Sequence, residues 1–291
     1  MSQTSTQLLK NAQRITSRQN ARVVQLAKLG ERKHRRAMGC FRFDGIKLAS
    51  EAVKNGLPLQ TLFLKESGAE AVLSRVLGAE IVPNPMPEIL VLEDSLFDRV
   101  SEEEAPEGII SVCGNLPIHA SEMQVSDFPM SRRLIFLESI RDPSNLGAII
   151  RSAAAFGVDA LILSEDCADI YNAKTVRASM GTLFTQPILR VPDMQEAVLA
   201  SRQAGRRVFA AALDRDALQL GAFAVQEGDC VVIGNEGHGL SPETVAACDA
   251  SVFIPMTARA ESLNAAVAAS ILMWTFRPTE GNTPMPRKEI L

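Results

Sequence analysis

The 291-residue sequence has no run of roughly 18 to 20 uncharged apolar residues of the kind a membrane-spanning helix requires. Its first residues, MSQTSTQLLKNAQR, lack the apolar core of a secretory leader. A cytoplasmic protein is expected. Cysteine is sparse: Cys40, Cys113, Cys167, Cys230 and Cys248 are odd in number, far apart and never spaced C-x-x-C. That pattern supports neither a disulfide framework nor a zinc ribbon. Histidine is sparser still, with His34, His119 and His238 and no H-E-x-x-H, so no metal site is expected.

What is present describes a chain that buries a core. A composition of 46% hydrophobic and 22% charged residues excludes collagen-like, coiled-coil and wholly disordered classes. The length is about twice that of a usual domain, and we read it as two domains. The net charge of -4 conceals a segregation. Residues 1–50 hold 11 Lys and Arg against Glu31 and Asp44 alone, which leaves 19 bases against 32 acids in the rest of the chain. A basic N-terminal segment on an acidic body points to a polyanionic partner.

Residues 1–36 read as a basic helical arm. Ile15, Val23, Leu26 and Leu29 form a partial apolar stripe, Arg14, Arg18 and Arg22 recur every four residues, and Arg32, Lys33, His34, Arg35 and Arg36 make a dense cationic run. Such a run is either a solvated face or a set of phosphate contacts, and its single sign favours phosphate. Residues 37–114 read as a small α/β domain, with helices at 46–55 and 69–77 and strands at 61–64 and 108–112. The acidic stretch 93–107 is expected as a solvated edge or turn. Pro117 and Pro129 mark a linker over 115–131. From 132 to 277, strand-like runs at 134–137, 160–163, 208–212, 231–234 and 252–254 alternate with helical patterns at 146–156, 173–180, 194–204, 242–247 and 263–276. This alternation predicts an α/β domain with a mostly parallel sheet. The polar, proline-containing tail 278–291 is expected to end the fold.

Three clusters stand at predicted strand ends. In the first, LIFLESIRDPSNLGAIIRSAAAFG, a strand leads to Asn145, then Gly147, then Arg151 on a helix otherwise filled with Ala and Ile. Asn145 has a plain alternative role as a helix N-cap, whereas Arg151 is the one polar group on an apolar stretch. The second, CVVIGNEGHGLS, places Gly234, Glu236, Gly237 and Gly239 after a buried strand, where glycine lets a ligand approach the backbone. Its spacing is not the dinucleotide G-x-G-x-x-G, and it lacks the G-K-[ST] of a P-loop. A tight structural turn explains it equally well. In the third, VFIPMTARAESLNAAVAASILMW, a strand ends near Ile254 and Met256, and a small-residue helix opens near Ser262, Leu263 and Asn264. Ser262 as its cap is the plain reading, and the small residues could also form a dimer face.

Taken in order, N-x-G-x-x-x-R, I-G-N-E-G-x-G-L and I-P-M with S-L-N resemble the three motifs of the SpoU (TrmH-like) RNA 2'-O-ribose methyltransferases of the SPOUT class. Matching stretches between them are NAKTVRASMGTLF at 172–184 and AALD at 211–214. The resemblance spans about residues 132–277. The N-terminal part, ITSRQNARVVQLAKLGERKHRRAMGCFRFDGIKLASEAV, is similar to the RNA-binding substrate domain often joined to it. Two departures are Asp44-Gly45 in place of a common E-G pair and Glu107 in place of a common Gln, the acid at 107 being expected to alter contact with RNA.

The resemblance implies a catalytic domain threaded into a trefoil knot around S-adenosylmethionine, acting without a metal on ribosomal RNA as a homodimer. Its pocket would involve Leu213, Gly234, Glu236, Ile254, Met256, Leu263 and Asn264. Arg151 would activate the ribose hydroxyl or hold the adjacent phosphate, since a guanidinium rarely loses its proton. Asn145 and Asn264 would orient groups, Glu236 would hold Arg151 or the ribose, and Ser262 would donate a hydrogen bond. Arg32, Lys33, Arg35, Arg36 and Arg177 would contact RNA. The alternatives are a transfer-RNA target and a non-catalytic RNA-binding or ribosome-assembly protein of the same fold.

Overall fold

The structure is a computed structural model that describes residues 3–78, 83, 85–119, 124–257, 259–260 and 262–277; the tail at 278–291 and part of the linker lie outside the described residues. Two compact units emerge. The first comprises Met1–Ala120, Asp142–Arg151 and Ala168–Pro187, and the second Ser121–Arg141, Ser152–Cys167 and Ile188–Leu291.

In chain order the first unit contains α1 (Gln3–Lys10), β1 (Gln13–Ile15), α2 (Ala21–Lys28), α3 (Arg32–Met38), β2 (Cys40–Asp44), α4 (Ile46–Lys54), β3 (Leu59–Lys65), α5 (Ala69–Leu77), β4 (Glu88–Leu92), α6 (Asp94–Val100) and β5 (Ile109–Gly114). The strands form one sheet in the order β1-β4-β3-β5-β2. β1, β4 and β3 run parallel, and β5 is antiparallel to β3 and β2.

The basic segment is therefore no free-standing helical arm. β1 is an edge strand, and Ile15, Val23, Leu26 and Leu29 are buried against Phe63, Leu90, Leu92 and Phe97. A three-residue strand is too short for alternation to announce it. The acidic stretch also differs from expectation, because α6 lies within it and sends Leu96 and Phe97 into the core. Glu107 acts as a helix cap: its Oε2 accepts from the Ile46 N–H at 2.6 Å, at the start of α4. There the carboxylate meets an otherwise unpaired donor and the positive end of the helix.

The remaining elements are β6 (Leu134–Leu137), α7 (Pro143–Ala155), β7 (Ala160–Ser164), α8 (Ala173–Ser179), β8 (Ile188–Val191), α9 (Met194–Gln203), β9 (Val208–Ala211), β10 (Leu218–Gln219), β11 (Cys230–Ile233), α10 (Pro242–Ala247), β12 (Ala250–Phe253) and α11 (Ala265–Thr275). The second unit's sheet has the order β10-β12-β9-β11-β6-β7-β8 and is parallel at every pairing. β6, β7 and β11 are buried along their length, as continuous apolar runs in a parallel sheet require. β8, interrupted by Arg190, and the two-residue β10 carry too little apolar pattern to be foreseen.

The first unit also takes in α8 and residues beyond the expected domain end at 114. Aromatic packing accounts for this. Phe41 on β2 stacks against Tyr171 at 4.3 Å between centroids, and Phe43 packs on Phe184 at 5.3 Å. The Tyr171 hydroxyl accepts from the Leu116 N–H at 2.8 Å and bonds to His119 Nδ1 at 2.9 Å. Burial pushes that phenol well above its ordinary pKa.

Candidate active site

β12, β9 and β11 are neighbours in a parallel sheet, so the chain leaves all three at the same edge. Ligands of open α/β sheets bind outside the carboxyl ends of the strands. Residues that follow β9 and β12 meet the opening of α11 around a cleft of about 560 Å³. Leu213, Ile254, Met256, Ser262 and Leu263, five of the residues named from the sequence, line it together with Ala212, Phe253 and Leu272. Its walls are mainly apolar, yet Leu213 is 83% and Met256 47% exposed. Large apolar side chains left open around a concave site mark a surface that a ligand covers. An adenine ring and the methylene chain of a methionyl group are of suitable chemistry for such walls, so the residues present fit S-adenosylmethionine.

Gly234, Glu236 and Asn264 do not line this cleft. Gly234 follows β11 and has a different necessity: a Cβ there would lie 2.4 Å from the Gly239 carbonyl carbon. The turn closes on itself through reciprocal backbone bonds between Asn235 and Gly239, at 3.1 and 2.9 Å. Glu236 is exposed at the tip of that turn. Asn264 caps α11, its Oδ1 accepting from the N–H groups of Ala266 at 2.9 Å and Val267 at 3.3 Å. The cap expected of Ser262 therefore belongs to Asn264.

Asn145 and Arg151 belong to the first unit. Pro143 opens α7, and the Asn145 N–H donates to Asp142 Oδ1 at 2.8 Å, so Asp142 takes the capping role that the sequence allowed to Asn145. Gly147 faces α8, where a Cβ would come within 2.5 Å of the Thr175 carbonyl oxygen and 2.6 Å of Ala178 Cβ. Glycine at this motif position is thus a packing requirement. Arg151 is exposed and makes no ion pair among the described residues.

Three residues given no role from the sequence, Asn235, Ser139 and Glu138, organise the strand ends. Asn235 Oδ1 accepts from Gly237 N–H at 2.8 Å, while its Nδ2 donates to the Ser139 carbonyl at 3.0 Å, tying the β11 turn to the chain after β6. An Asn just before a Gly-rich turn is the available signal. Ser139 itself has φ of 57° and is anchored by its N–H on Ser164 Oγ at 2.9 Å. Burial would raise the Asp166 carboxyl nearby, but hydrogen bonds from Ser139, Ser164 and Arg141 outweigh it and hold the group below the usual range. Glu138 accepts from Ser241 N–H, Ser241 Oγ and Thr244 Oγ1, fixing the start of α10.

The expected phosphate contacts separate. Lys33 is exposed with Glu31 at 2.9 Å, Arg36 is exposed, and Arg32 is half-buried. Arg177 is exposed but pairs with Glu103 at 2.6 Å. Arg35 is a correction. It is 5% exposed and its guanidinium is consumed by Asp169 and two backbone carbonyls, so it offers nothing to a phosphate. Among the described residues, no group of three or more His, Cys, Asp or Glu side chains comes together to hold a metal ion, and no helix is long and apolar enough to cross a membrane.

Comparison with known proteins gives two family matches, the SpoU rRNA Methylase family over residues 132–274 and the MRM3-like substrate binding domain over residues 20–111. The chain is 30% identical over 265 residues to the 23S rRNA (guanosine(2553)-2'-O)-methyltransferase RlmP of Bacillus subtilis (strain 168), covering 90% of this chain and 98% of that protein. It is 35% identical over 273 residues to the 23S rRNA (uridine(2479)-2'-O)-methyltransferase of Streptomyces viridochromogenes, covering 90% and 91%. Among solved structures, the SpoU methyltransferase AviRb from Streptomyces viridochromogenes in complex with AdoMet superposes with a TM-score of 0.75 at 30% identity, covering 89% of this chain and 97% of that one.

Proposed function

This chain belongs to the SpoU rRNA methylase family, and from that premise we propose that it methylates a ribose 2'-oxygen of ribosomal RNA with S-adenosylmethionine. The observation that carries the reading is the apolar cleft beyond β9 and β12, with Leu213 and Met256 standing open on its walls. Leu213, Ile254, Met256 and Leu263 would hold the cofactor, with Gly234 shaping the neighbouring turn.

The cofactor supplies an electrophilic methyl group on a positively charged sulfur. What the protein must add is alignment of the ribose oxygen and a route for the hydroxyl proton. Arg151 carries a permanently charged fork free to hold the phosphate beside the target ribose and to stabilise negative charge developing on the oxygen. Glu236 and Asn145 would orient substrate groups, Ser262 would donate into the cleft it lines, and Asn264 acts by fixing the start of α11. The proton would pass to a phosphate oxygen or to water.

The same reading assigns 37–114 to RNA binding and 132–277 to catalysis, the latter knotted, in a cytoplasmic enzyme. Arg32, Lys33, Arg36 and Arg177 would contact the RNA. A homodimer is part of the proposal because α11 exposes Val267 and Trp274, seven residues apart and so on one face. Sedimentation of wild type against Trp274→Glu tests it, a monomeric wild type counting against it.

The decisive experiment is methyl transfer from labelled S-adenosylmethionine to RNA from cells lacking the protein, with mapping of ribose methylation. One labelled nucleotide in ribosomal RNA is expected. Label confined to transfer RNA would overturn the substrate, and cofactor binding without transfer to RNA or to precursor ribosomes would overturn the activity.

A further inference from the structure

α2 and α6 enclose a second open groove, of about 710 Å³, wholly within the first unit. Val23, Val24, Ala27, Leu96 and Val100 make its floor. Arg18 stands in the turn before α2, Lys28 at the end of α2, and Arg99 on α6. Several other cations of the first unit are already paired. Arg14 is paired with Glu66, Arg22 with Glu88, Lys33 with Glu31 and Arg35 with Asp169. Arg18, Lys28 and Arg99 have no ion pair among the described residues.

Three acids of this region are held by other cations. Glu31, at its edge, holds Lys33 at 2.9 Å; Asp98 holds Lys65 at 2.7 Å; and Glu102, beside Gly30, faces Arg42 at 3.8 Å. The result is an apolar floor bounded by three uncompensated positive charges. In water these charges cost nothing to leave open, but around a partly exposed Val24 they define one ligand chemistry: a flat apolar body that carries negative charge on both sides.

We propose that this groove binds an unpaired segment of the RNA substrate, with a splayed base on Val23, Val24, Ala27 and Leu96 and the flanking phosphates on Arg18, Lys28 and Arg99. Single-stranded RNA is recognised through unstacked bases and backbone charge, and here the base would lie on aliphatic side chains between cations. An extended acidic peptide fits less well, because two helices wall the groove and offer no strand edge for main-chain pairing. The inference rests on the proposed RNA methyltransferase reading. It adds a docking site whose residues, Arg18 apart, lie within 20–111, matched to a substrate-binding domain.

The test uses the full chain, a short fluorescein-labelled single-stranded RNA, the corresponding duplex, and a labelled oligoglutamate, with anisotropy followed across salt concentration. The triple variant Arg18→Ala, Lys28→Ala, Arg99→Ala should bind single-stranded RNA about tenfold or more weakly. Its log–log salt slope should be shallower by about 2, from three contacts at about 0.7 each. Val24→Asn, at an exposed position, should weaken binding with the slope unchanged, and it keeps the proposal testable should the triple variant unfold. Wild-type affinity and slope in the triple variant, or wild-type affinity in Val24→Asn, would overturn the groove while leaving the methyltransferase reading intact. Failure of wild type to bind any RNA would overturn both. Oligoglutamate binding lost in the triple variant, with RNA binding retained, would reassign the groove to an acidic protein.

Discussion

Arg35 donates through Nε and Nη2 to a single carboxylate oxygen of Asp169, at 3.0 and 2.6 Å, across 134 residues of sequence. Its Nη1 simultaneously donates to the carbonyls of Leu29 and Gly30, at 2.7 and 2.9 Å. Asp169 in turn accepts at Oδ1 from the Tyr171 N–H and at its carbonyl from Thr175 Oγ1, so one ion pair organises the turn that leads into α8. Removing one member of a buried pair leaves the other uncompensated, at a cost of about 3 to 5 kcal/mol. Arg35→Ala should therefore lower stability to urea by an amount of that order, whereas Arg36→Ala, exposed on the same helix, should leave it unchanged. Equal stability of the two variants would remove the structural role assigned to Arg35.

Gly147 has no room for a side chain, with the Thr175 carbonyl oxygen 2.5 Å from the place a Cβ would occupy. Gly147→Ala must part α7 from α8. Overpacking of this kind costs about 1 to 3 kcal/mol, despite the better helix propensity of alanine. Thermal unfolding decides between the two effects, and a stabilised variant would show that the helices separate freely.

Gly234→Ala places a methyl group against the Gly239 backbone at 2.4 Å. The turn after β11 should open, and affinity for S-adenosylmethionine, measured by calorimetry, should fall about tenfold or more, since tenfold corresponds to only 1.4 kcal/mol of misfit. Retained affinity would show that the turn takes no part in shaping the cofactor site.

Arg151→Ala should reduce methyl transfer by about 100-fold or more, the scale on which loss of a transition-state charge partner is felt. Because Arg151 is exposed and outside the cleft lining, cofactor affinity should be preserved. Single-turnover rates with labelled cofactor, alongside calorimetry, separate these effects; a parallel loss of both would point to a structural role.

The thiols predict an alkaline limit. Burial pushes Cys113 and Cys248 up to about 12 and Cys230 up to about 11, from an ordinary value of 9.0. Between pH 9 and 12 the unfolded chain releases these protons while the folded chain retains them. Stability is therefore fully present below pH 9 and declines as pH rises toward 12. Urea midpoints should fall over that window, and a variant with Cys113, Cys230 and Cys248 replaced by alanine should show a shallower decline. Native protein should also resist iodoacetamide at pH 8 at these positions.

Much of the catalytic half was legible because its physics is local. The runs LIFL, ALILS and CVVI are buried on both faces of a parallel sheet, so they read as continuous apolar strands, and β6 falls at 134–137 as expected. Helices α5 and α10 likewise fall on their expected bounds, α10 being announced by Ser241 as cap and Pro242 as first residue. The ordered motifs of Asn145, Gly147, Arg151, Gly234, Glu236 and Asn264 are residue types at fixed spacing, which is information a linear sequence carries in full.

What tertiary structure alone decided is which partner each of these residues meets. Arg35 and Arg36 are adjacent and chemically identical, yet one is buried on Asp169 and the other is exposed, because the partner comes from a remote segment. The cap expected of Ser262 fell to Asn264, and Glu107 became the cap of α4 instead of a surface acid, since a helix end recruits whichever acceptor folding brings within reach. β1 gained its place at a sheet edge only through β4, more than seventy residues away. Periodicity determined the α/β class, and the ordered motifs carried the family resemblance that implies the chemistry. Long-range pairing of charges, caps and strand edges determined which of the candidate residues remain free to act on RNA.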